Sequence, residues 1–287
     1  MMTFREIKLS FQNELSPFFD EQEIDSFFYL VLEKFHQLKR IDLALQPELT
    51  ISPAASAKWK LVLEQLKMQK PIQYILGETF FCDLVFKVNE YTLIPRPETE
   101  ELVYWILEEI KKQNKLNPVM IDIGTGTGCI PVSLKKYWPE STVFAVDISE
   151  EALKVAGENA GMNGVAVHFI QKNILETSDL EKQFDVMVSN PPYVRQLEKA
   201  EIMTNVLAFE PHLALFVPDD DPLVFYRKIA ALAQKNLRPN GLLFFEINQY
   251  LGKETVSLLT DSGFKNIALR KDIYGNDRMI KAQLIND

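Results

Sequence analysis

Val119-Met120-Ile121-Asp122-Ile123-Gly124-Thr125-Gly126-Thr127-Gly128 reads as a buried strand running into a glycine-rich turn, and a helical pattern follows around Val132 to Tyr137. Strand, glycine turn and helix in that order form the standard cradle for an adenine-containing cofactor. Glycine suits the turn because it lets the backbone approach a ligand and adopts conformations other residues avoid. Outward from this stretch the chain alternates. Thr142 to Val146 is a second strand ending at Asp147, with a helix through Ala156. Val165 to Ile170 and Phe184 to Val188 are a third and fourth, and a helix near Phe225 to Leu237 precedes the strand Leu242 to Ile247. The final segment holds two strands, Asn266 to Arg270 and Arg278 to Ala282, joined across Tyr274-Gly275-Asn276-Asp277. Such alternation predicts an α/β fold, a mostly parallel sheet covered by helices on both faces.

The glycine spacing narrows the cofactor. A dinucleotide fingerprint G-x-G-x-x-G would need glycine at Cys129 or at Pro131, and neither position has one. The evenly spaced Gly124, Gly126 and Gly128 after the acidic Asp122 instead resemble the first motif of S-adenosylmethionine-dependent methyltransferases. There the loop, with Thr125 and Thr127, packs beside the methionine part of the cofactor. Asp147, at the end of strand two, matches an acidic residue that accepts both ribose hydroxyls, its two oxygens facing their paired donors. A capping role for Asp147 competes, but Ser149 is the better cap. Asn173 and Ile174, just beyond strand three, are candidates for the adenine edge and face; an asparagine there also serves as a turn residue.

Asn190-Pro191-Pro192-Tyr193 ends strand four, and ligands in such sheets bind at the carboxyl ends of the strands. The motif sets one amide side chain, two residues lacking an N–H and one aromatic ring at that point. A planar amide nitrogen is a poor nucleophile, so rate must come from orientation and electrostatics. The Asn190 side-chain oxygen and the Pro191 carbonyl can accept the two hydrogens of an NH2 group, and Tyr193 can cover it. The competing reading, a rigid turn, is weakened by the glycine loop and Asp147 upstream.

Composition bounds the rest. At 287 residues, with 47% hydrophobic and 25% charged residues, the chain has room for two soluble domains. There is no apolar run of about 18 residues and no signal-like start, so a cytoplasmic location is expected and a membrane is not. Two distant cysteines and three scattered histidines give no metal site. A net charge of -9 is the wrong sign for phosphate binding, so no direct nucleic-acid partner is expected. The first 70 or so residues read as helices, with Phe27, Phe28, Val31 and Phe35, then Trp59, Val62, Leu63 and Leu66, at helical spacing. The expected division is a helical bundle over 1–73, a hairpin linker over 74–93 and a catalytic domain over 94–287.

Across nearly its whole length the chain resembles the HemK/PrmC family of protein-(glutamine-N5) methyltransferases. The resemblance runs through Pro71-Ile72-Gln73-Tyr74-Ile75-Leu76-Gly77, Leu93-Ile94-Pro95-Arg96-Pro97-Glu98-Thr99-Glu100, the Gly124 to Gly128 loop, Asn190 to Tyr193, Glu210-Pro211 and Phe225-Tyr226-Arg227. Lys271-Asp272, Gly275 and Arg278 complete it. The Ile94 to Glu100 string discriminates best, because the Asn190 motif is shared with DNA and RNA amino-methyltransferases, the alternative reading. The resemblance implies a class I methyltransferase fold, Rossmann-like with seven mostly parallel strands and a C-terminal antiparallel hairpin, plus a small N-terminal helical bundle. It implies S-adenosylmethionine as cofactor and, as substrate, the glutamine of a Gly-Gly-Gln loop in peptide chain release factors, held with help from the bundle; separately, a monomer is expected. The chain departs from the family where glycines are common, at Val217 to Pro222, Asp83 and Asn248.

Overall fold

The structure is a computed structural model that describes residues 2–285. It divides into two compact units, the first running to Gly77 and joined by Thr204–Phe209, the second holding the remainder. The first unit opens with β1 (Met2–Thr3), α1 (Phe4–Leu15), α2 (Glu21–His36) and α3 (Arg40–Leu45), then β2 (Thr50–Ile51), α4 (Pro53–Lys67) and α5 (Ile72–Leu76). Thr3 and Glu6 form a reciprocal cap at the start of α1, and Ser52 accepts the Ala55 N–H at the start of α4 with Pro53 in the first turn. Phe11, Phe28 and Trp59 interlock edge to face or tilted at the centre, and the Trp59 indole donates to His36 Nε2 at 2.9 Å. Phe27, Phe28 and Trp59 of the helically spaced aromatics are therefore core, whereas Phe35 is exposed.

Residues 74–93, expected as a linker, are shared between the units. α5 belongs to the bundle, while β3 (Glu78–Phe81) and β4 (Leu84–Lys87) form a hairpin embedded in the second unit. Phe81 and Phe86 are buried among Leu102, Val103 and Leu134, and Asn159 bridges the Lys87 backbone N–H and carbonyl. Cys82 and Asp83 both sit in the left-handed region, φ 47° and 57°, as a tight two-residue hairpin turn requires. Asparate at 83 thus does what glycine commonly does there.

The second unit continues with α6 (Pro97–Lys112), β5 (Val119–Ile123), α7 (Cys129–Tyr137), β6 (Thr142–Asp147), α8 (Glu150–Met162), β7 (His168–Gln171) and β8 (Phe184–Ser189). After β9 (Val194–Arg195) the chain crosses α9 (Thr204–Phe209), the segment grouped with the bundle, and returns through β10 (Phe216–Val217). α10 (Val224–Asn236), β11 (Leu237–Glu246), α11 (Gly252–Asp261), β12 (Lys265–Lys271) and β13 (Asp277–Gln283) complete it. The main sheet has the order β12-β13-β11-β8-β5-β6-β7. The five strands from β11 to β7 are parallel, and β13 and β12 are antiparallel additions. Its faces are covered separately, because successive strand residues point to opposite sides. Met120 packs with α6 and α7 on one face, Ile121 and Ile123 with α10 on the other. This is the class I methyltransferase architecture the sequence suggested.

Boundaries differ where helix ends intervene. β7 starts at His168 rather than Val165, because α8 runs on to Met162 and closes with Gly164 at φ 68° and a bond from the Val165 N–H to the Ala160 carbonyl. β11 starts five residues early, with a register shift between Leu237 and Leu242 that places Asn240 at φ 61°. The unusual 217–222 stretch is anchored: β10 pairs in parallel with β9, Asp219 accepts the Leu197 N–H at 3.1 Å, and Asp221 pairs with Arg227.

Candidate active site

The strand order turns back between β5 and β8: from β5 the chain steps outward through β6 and β7, then β8 returns on the other side. A crevice opens at the carboxyl ends of strands at such a point. Ile123 stands opposite Ser189 in the register, and the Ser189 hydroxyl donates to the Ile123 carbonyl at 2.6 Å. Gly124 and Asn190 therefore leave the sheet side by side.

On the β5 side the site is built from backbone. The Gly124 and Thr125 N–H groups both donate to the Val146 carbonyl. The Gly126 N–H donates to Asp147 Oδ2 at 2.8 Å, and the Ser149 N–H to Asp147 Oδ1 at 2.9 Å. Ser149 itself caps α8 by accepting the Ala152 N–H, which leaves Asp147 facing the cleft with lone pairs on each oxygen still able to accept. At Gly128, the start of α7, φ is 76° and an added Cβ would stand 2.9 Å from the Ala156 side chain, so only glycine fits there. Beneath the loop Asp122 is buried, and neither its carboxyl oxygens nor the Thr125 hydroxyl has a hydrogen-bond partner among the described residues. Burial pushes the Asp122 carboxyl up to about 7; the nearby Thr125 hydroxyl opposes this and the Asp147 charge adds to it.

On the β8 side the site is built from side chains drawn from distant parts of the chain. Asn190 Nδ2 lies 3.4 Å from the Thr99 hydroxyl, on the first turn of α6. That hydroxyl donates to Glu246 Oε2 at 2.6 Å, at the end of β11. Glu246 Oε1 accepts the Tyr193 hydroxyl at 3.0 Å. Burial raises the pKa of Glu246, against the pull of the Thr99 and Tyr193 hydrogen bonds and the Arg278 charge. Burial also holds the Tyr193 phenol far up, with the Glu246 charge adding to it. Asn248 ties the Tyr193 carbonyl to the Glu198 carboxylate, at 3.0 and 2.8 Å, a bridge that glycine at 248 would lack.

The two sides share one cleft of about 520 Å³, within the usual range for small-molecule sites of roughly 300–1,000 Å³. Gly124 to Thr127, Asp147, Asn173, Ile174, Asn190, Pro191 and Pro192 all reach its wall. Tyr193 lies behind that wall, its ring against the core under α10 and its hydroxyl on Glu246. Asn173 spends its side-chain oxygen on the Leu175 N–H, at 3.1 Å, in a local turn, so its NH2 is the end available to a ligand. At the rim the buried Glu210 carboxylate accepts from Arg96 at 2.6 Å and from the Ile94 N–H at 3.3 Å. This explains the weight of the Ile94 to Glu100 and Glu210 strings. Thr99 and Glu246 escaped sequence reasoning as site residues, although a carboxylate closing the apolar run Leu242-Leu243-Phe244-Phe245 was a signal. The residues present fit S-adenosylmethionine: a close backbone cradle, the Asp147 carboxylate on the cleft wall with lone pairs still able to accept ribose hydroxyls, and the Thr125 hydroxyl, unpartnered among the described residues, on the same wall.

Comparison with known proteins agrees with this geometry. Residues 104–212 match the family model "Methyltransferase small domain" and residues 13–77 the model "PrmC N-terminal domain". A release factor glutamine methyltransferase of Flavobacterium psychrophilum is 60% identical over 98% of this chain and 99% of its own. One from Bacteroides thetaiotaomicron is 38% identical over 94% of this chain and 96% of its own. Among solved structures, the hMettl16 catalytic domain bound to an RNA hairpin superposes with a TM-score of 0.57 at 14% identity, over 83% of this chain and 84% of its own. That likeness is one of fold.

Proposed function

We propose that this chain, which belongs to the release factor glutamine methyltransferase family, methylates the side-chain amide nitrogen (N5) of the glutamine in the Gly-Gly-Gln loop of a peptide chain release factor. It is an S-adenosylmethionine-dependent methyltransferase. When bound, the cofactor supplies an electrophilic methyl group on a sulfonium centre. The Gly124–Gly128 backbone would flank its methionine part, Asp147 would accept the ribose hydroxyls, and Asn173 and Ile174 would take the adenine edge and face. The Asn190 side-chain oxygen and the Pro191 carbonyl accept the two N–H groups of the glutamine amide, turning the nitrogen lone pair toward the methyl group. Two acceptors also favour the positive charge that develops on that nitrogen. That charge is removed when the methylated nitrogen releases one of its two protons to solvent. Pro192 keeps the strip rigid and adds no competing N–H. Tyr193 acts from behind the wall as a positioning residue. The bundle helps to hold the release factor, and the enzyme works as a monomer in the cytoplasm without direct contact to nucleic acid.

One observation carries the reading: the Ile123–Ser189 register makes the glycine loop and Asn190 open on the same cleft. The test incubates the protein with methyl-labelled S-adenosylmethionine and a purified release factor, then maps the label by mass spectrometry. Label on the Gly-Gly-Gln glutamine is expected. An unlabelled release factor alongside labelled nucleic acid would sink the proposal.

A further inference from the structure

We propose that Glu246 sets the direction of the hydrogen bonds that orient the Asn190 amide, acting through Thr99, so that the Asn190 oxygen faces the cleft. The inference rests on the reading that Asn190 grips the substrate amide. The two ends of an asparagine amide have nearly the same shape, and only their hydrogen-bonding partners tell them apart. An ionised carboxylate can only accept. Glu246 takes the Thr99 hydroxyl proton at 2.6 Å and the Tyr193 hydroxyl proton at 3.0 Å. With its proton committed, the Thr99 oxygen can only accept from Asn190, so the Asn190 Nδ2 must face it, at 3.4 Å. The oxygen is then left for the cleft, where an NH2 substrate needs an acceptor. A protonated or amide side chain at 246 carries a donor of its own. Donation to Thr99 would free that hydroxyl to donate to Asn190, and the amide would then present its NH2 to the substrate.

The surroundings hold the charge in place. The Arg278 guanidinium, itself paired with Asp272 at 3.1 Å, favours the ionised form of Glu246, while Glu98 opposes it. Tyr193 donates to the carboxylate, and the Tyr226 hydroxyl donates to the Glu246 backbone carbonyl at 3.2 Å. Arg96 also faces this group of side chains through Tyr193. Burial raises the Glu246 pKa above the ordinary carboxylate value, so protonation should be reached at milder acidity than for an exposed glutamate.

Thr99→Val, Thr99→Ser, Glu246→Gln and Asn190→Ala are to be assayed as full chains with labelled S-adenosylmethionine and a release factor, with cofactor affinity followed by calorimetry. Thr99→Val and Glu246→Gln are each expected to lose about 10–100-fold in kcat, the scale of a misaimed reacting group, with KM and cofactor affinity held within about threefold. Thr99→Ser, which restores the hydroxyl, should recover most of the loss. Protonation of Glu246 should give the wild-type kcat profile an acid limb that vanishes in Thr99→Val, where no hydroxyl remains to pass the reversal on to Asn190. An inactive Asn190→Ala beside a fully active Thr99→Val would overturn the relay alone, as would a Glu246→Gln enzyme with wild-type kcat and an unchanged acid limb. An active Asn190→Ala would overturn the reading of the substrate grip and the relay with it.

Discussion

β5 and β8 are neighbours in one sheet, yet the sites at their ends are made in different ways. Beyond β5 the wall is backbone: Gly126 and Ser149 N–H groups fix Asp147, and Gly128 lets α7 and α8 pack closely. Beyond β8 the wall is a side-chain amide aimed by Thr99 and Glu246, which stand 91 and 56 positions away in the chain. Backbone sites are local, so damage to them should reach folding and cofactor binding together. A side-chain network can fail in transfer while binding survives, because only the aim of one group changes.

The sharpest way to break this contrast is Asn190→Ala. Loss of a group that acts on developing charge costs on the order of 100–1,000-fold in kcat, or roughly 3–4 kcal/mol of barrier. Cofactor affinity should stay within a few-fold and the melting temperature should scarcely move. Calorimetry and single-turnover transfer on the same preparation decide it. A parallel collapse of cofactor binding would mean that the β8 side is no more separable than the β5 side.

Gly128→Ala is the counterpart on the other wall. A left-handed backbone costs a non-glycine residue about 1–2 kcal/mol, and the 2.9 Å approach to Ala156 adds an overpacking cost of about 1–3 kcal/mol. Denaturant unfolding should show a loss of about 2–5 kcal/mol, with cofactor affinity falling as well. Unchanged stability would show that α8 moves away freely and that the close packing is not needed.

The same contrast explains what could be read without a structure. The glycine loop, Asp147 and Asn190 are contiguous strings whose meaning lies in local geometry, and the alternation of apolar runs set the sheet. Thr99, Glu246 and Asn248 matter only through partners far along the chain, and nothing local in their neighbourhoods names those partners. The hairpin at Glu78–Lys87 was legible as a hairpin but not as core, since what buries it is α6, α7 and α8. The grouping of Thr204–Phe209 with the bundle likewise depends on contacts that no spacing rule records.

Asp122 tests whether the β5 side also depends on a buried side chain. Its carboxyl is pushed up to about 7 by burial, whereas in the unfolded chain it titrates near 3.9. The native state therefore keeps a proton that the unfolded state has lost, so this group's contribution to stability grows as pH falls from 7 toward 5 and declines as pH rises through 7. Relative to Asp122→Asn, whose side chain does not titrate, the cofactor-free protein should gain about 2 kcal/mol between pH 7 and pH 5. Urea unfolding of both proteins at the two pH values measures the difference. An identical pH dependence would show that the carboxyl is solvated or partnered.

Gly124→Ala carries the smallest expected effect and isolates one cause. Its φ of 78° nearly equals that of Gly128, but an added Cβ meets nothing within 4 Å. Only the backbone strain remains, about 1–2 kcal/mol, so the stability loss should be no more than about half that of Gly128→Ala. For cofactor affinity the ranking should reverse, because Gly124 lines the cleft while the added methyl at Gly128 points into α8. Stability and cofactor affinity measured on both variants would then move in opposite orders. Were Gly124→Ala the more destabilised protein without cofactor, strain rather than packing would be what makes the β5 wall intolerant of substitution.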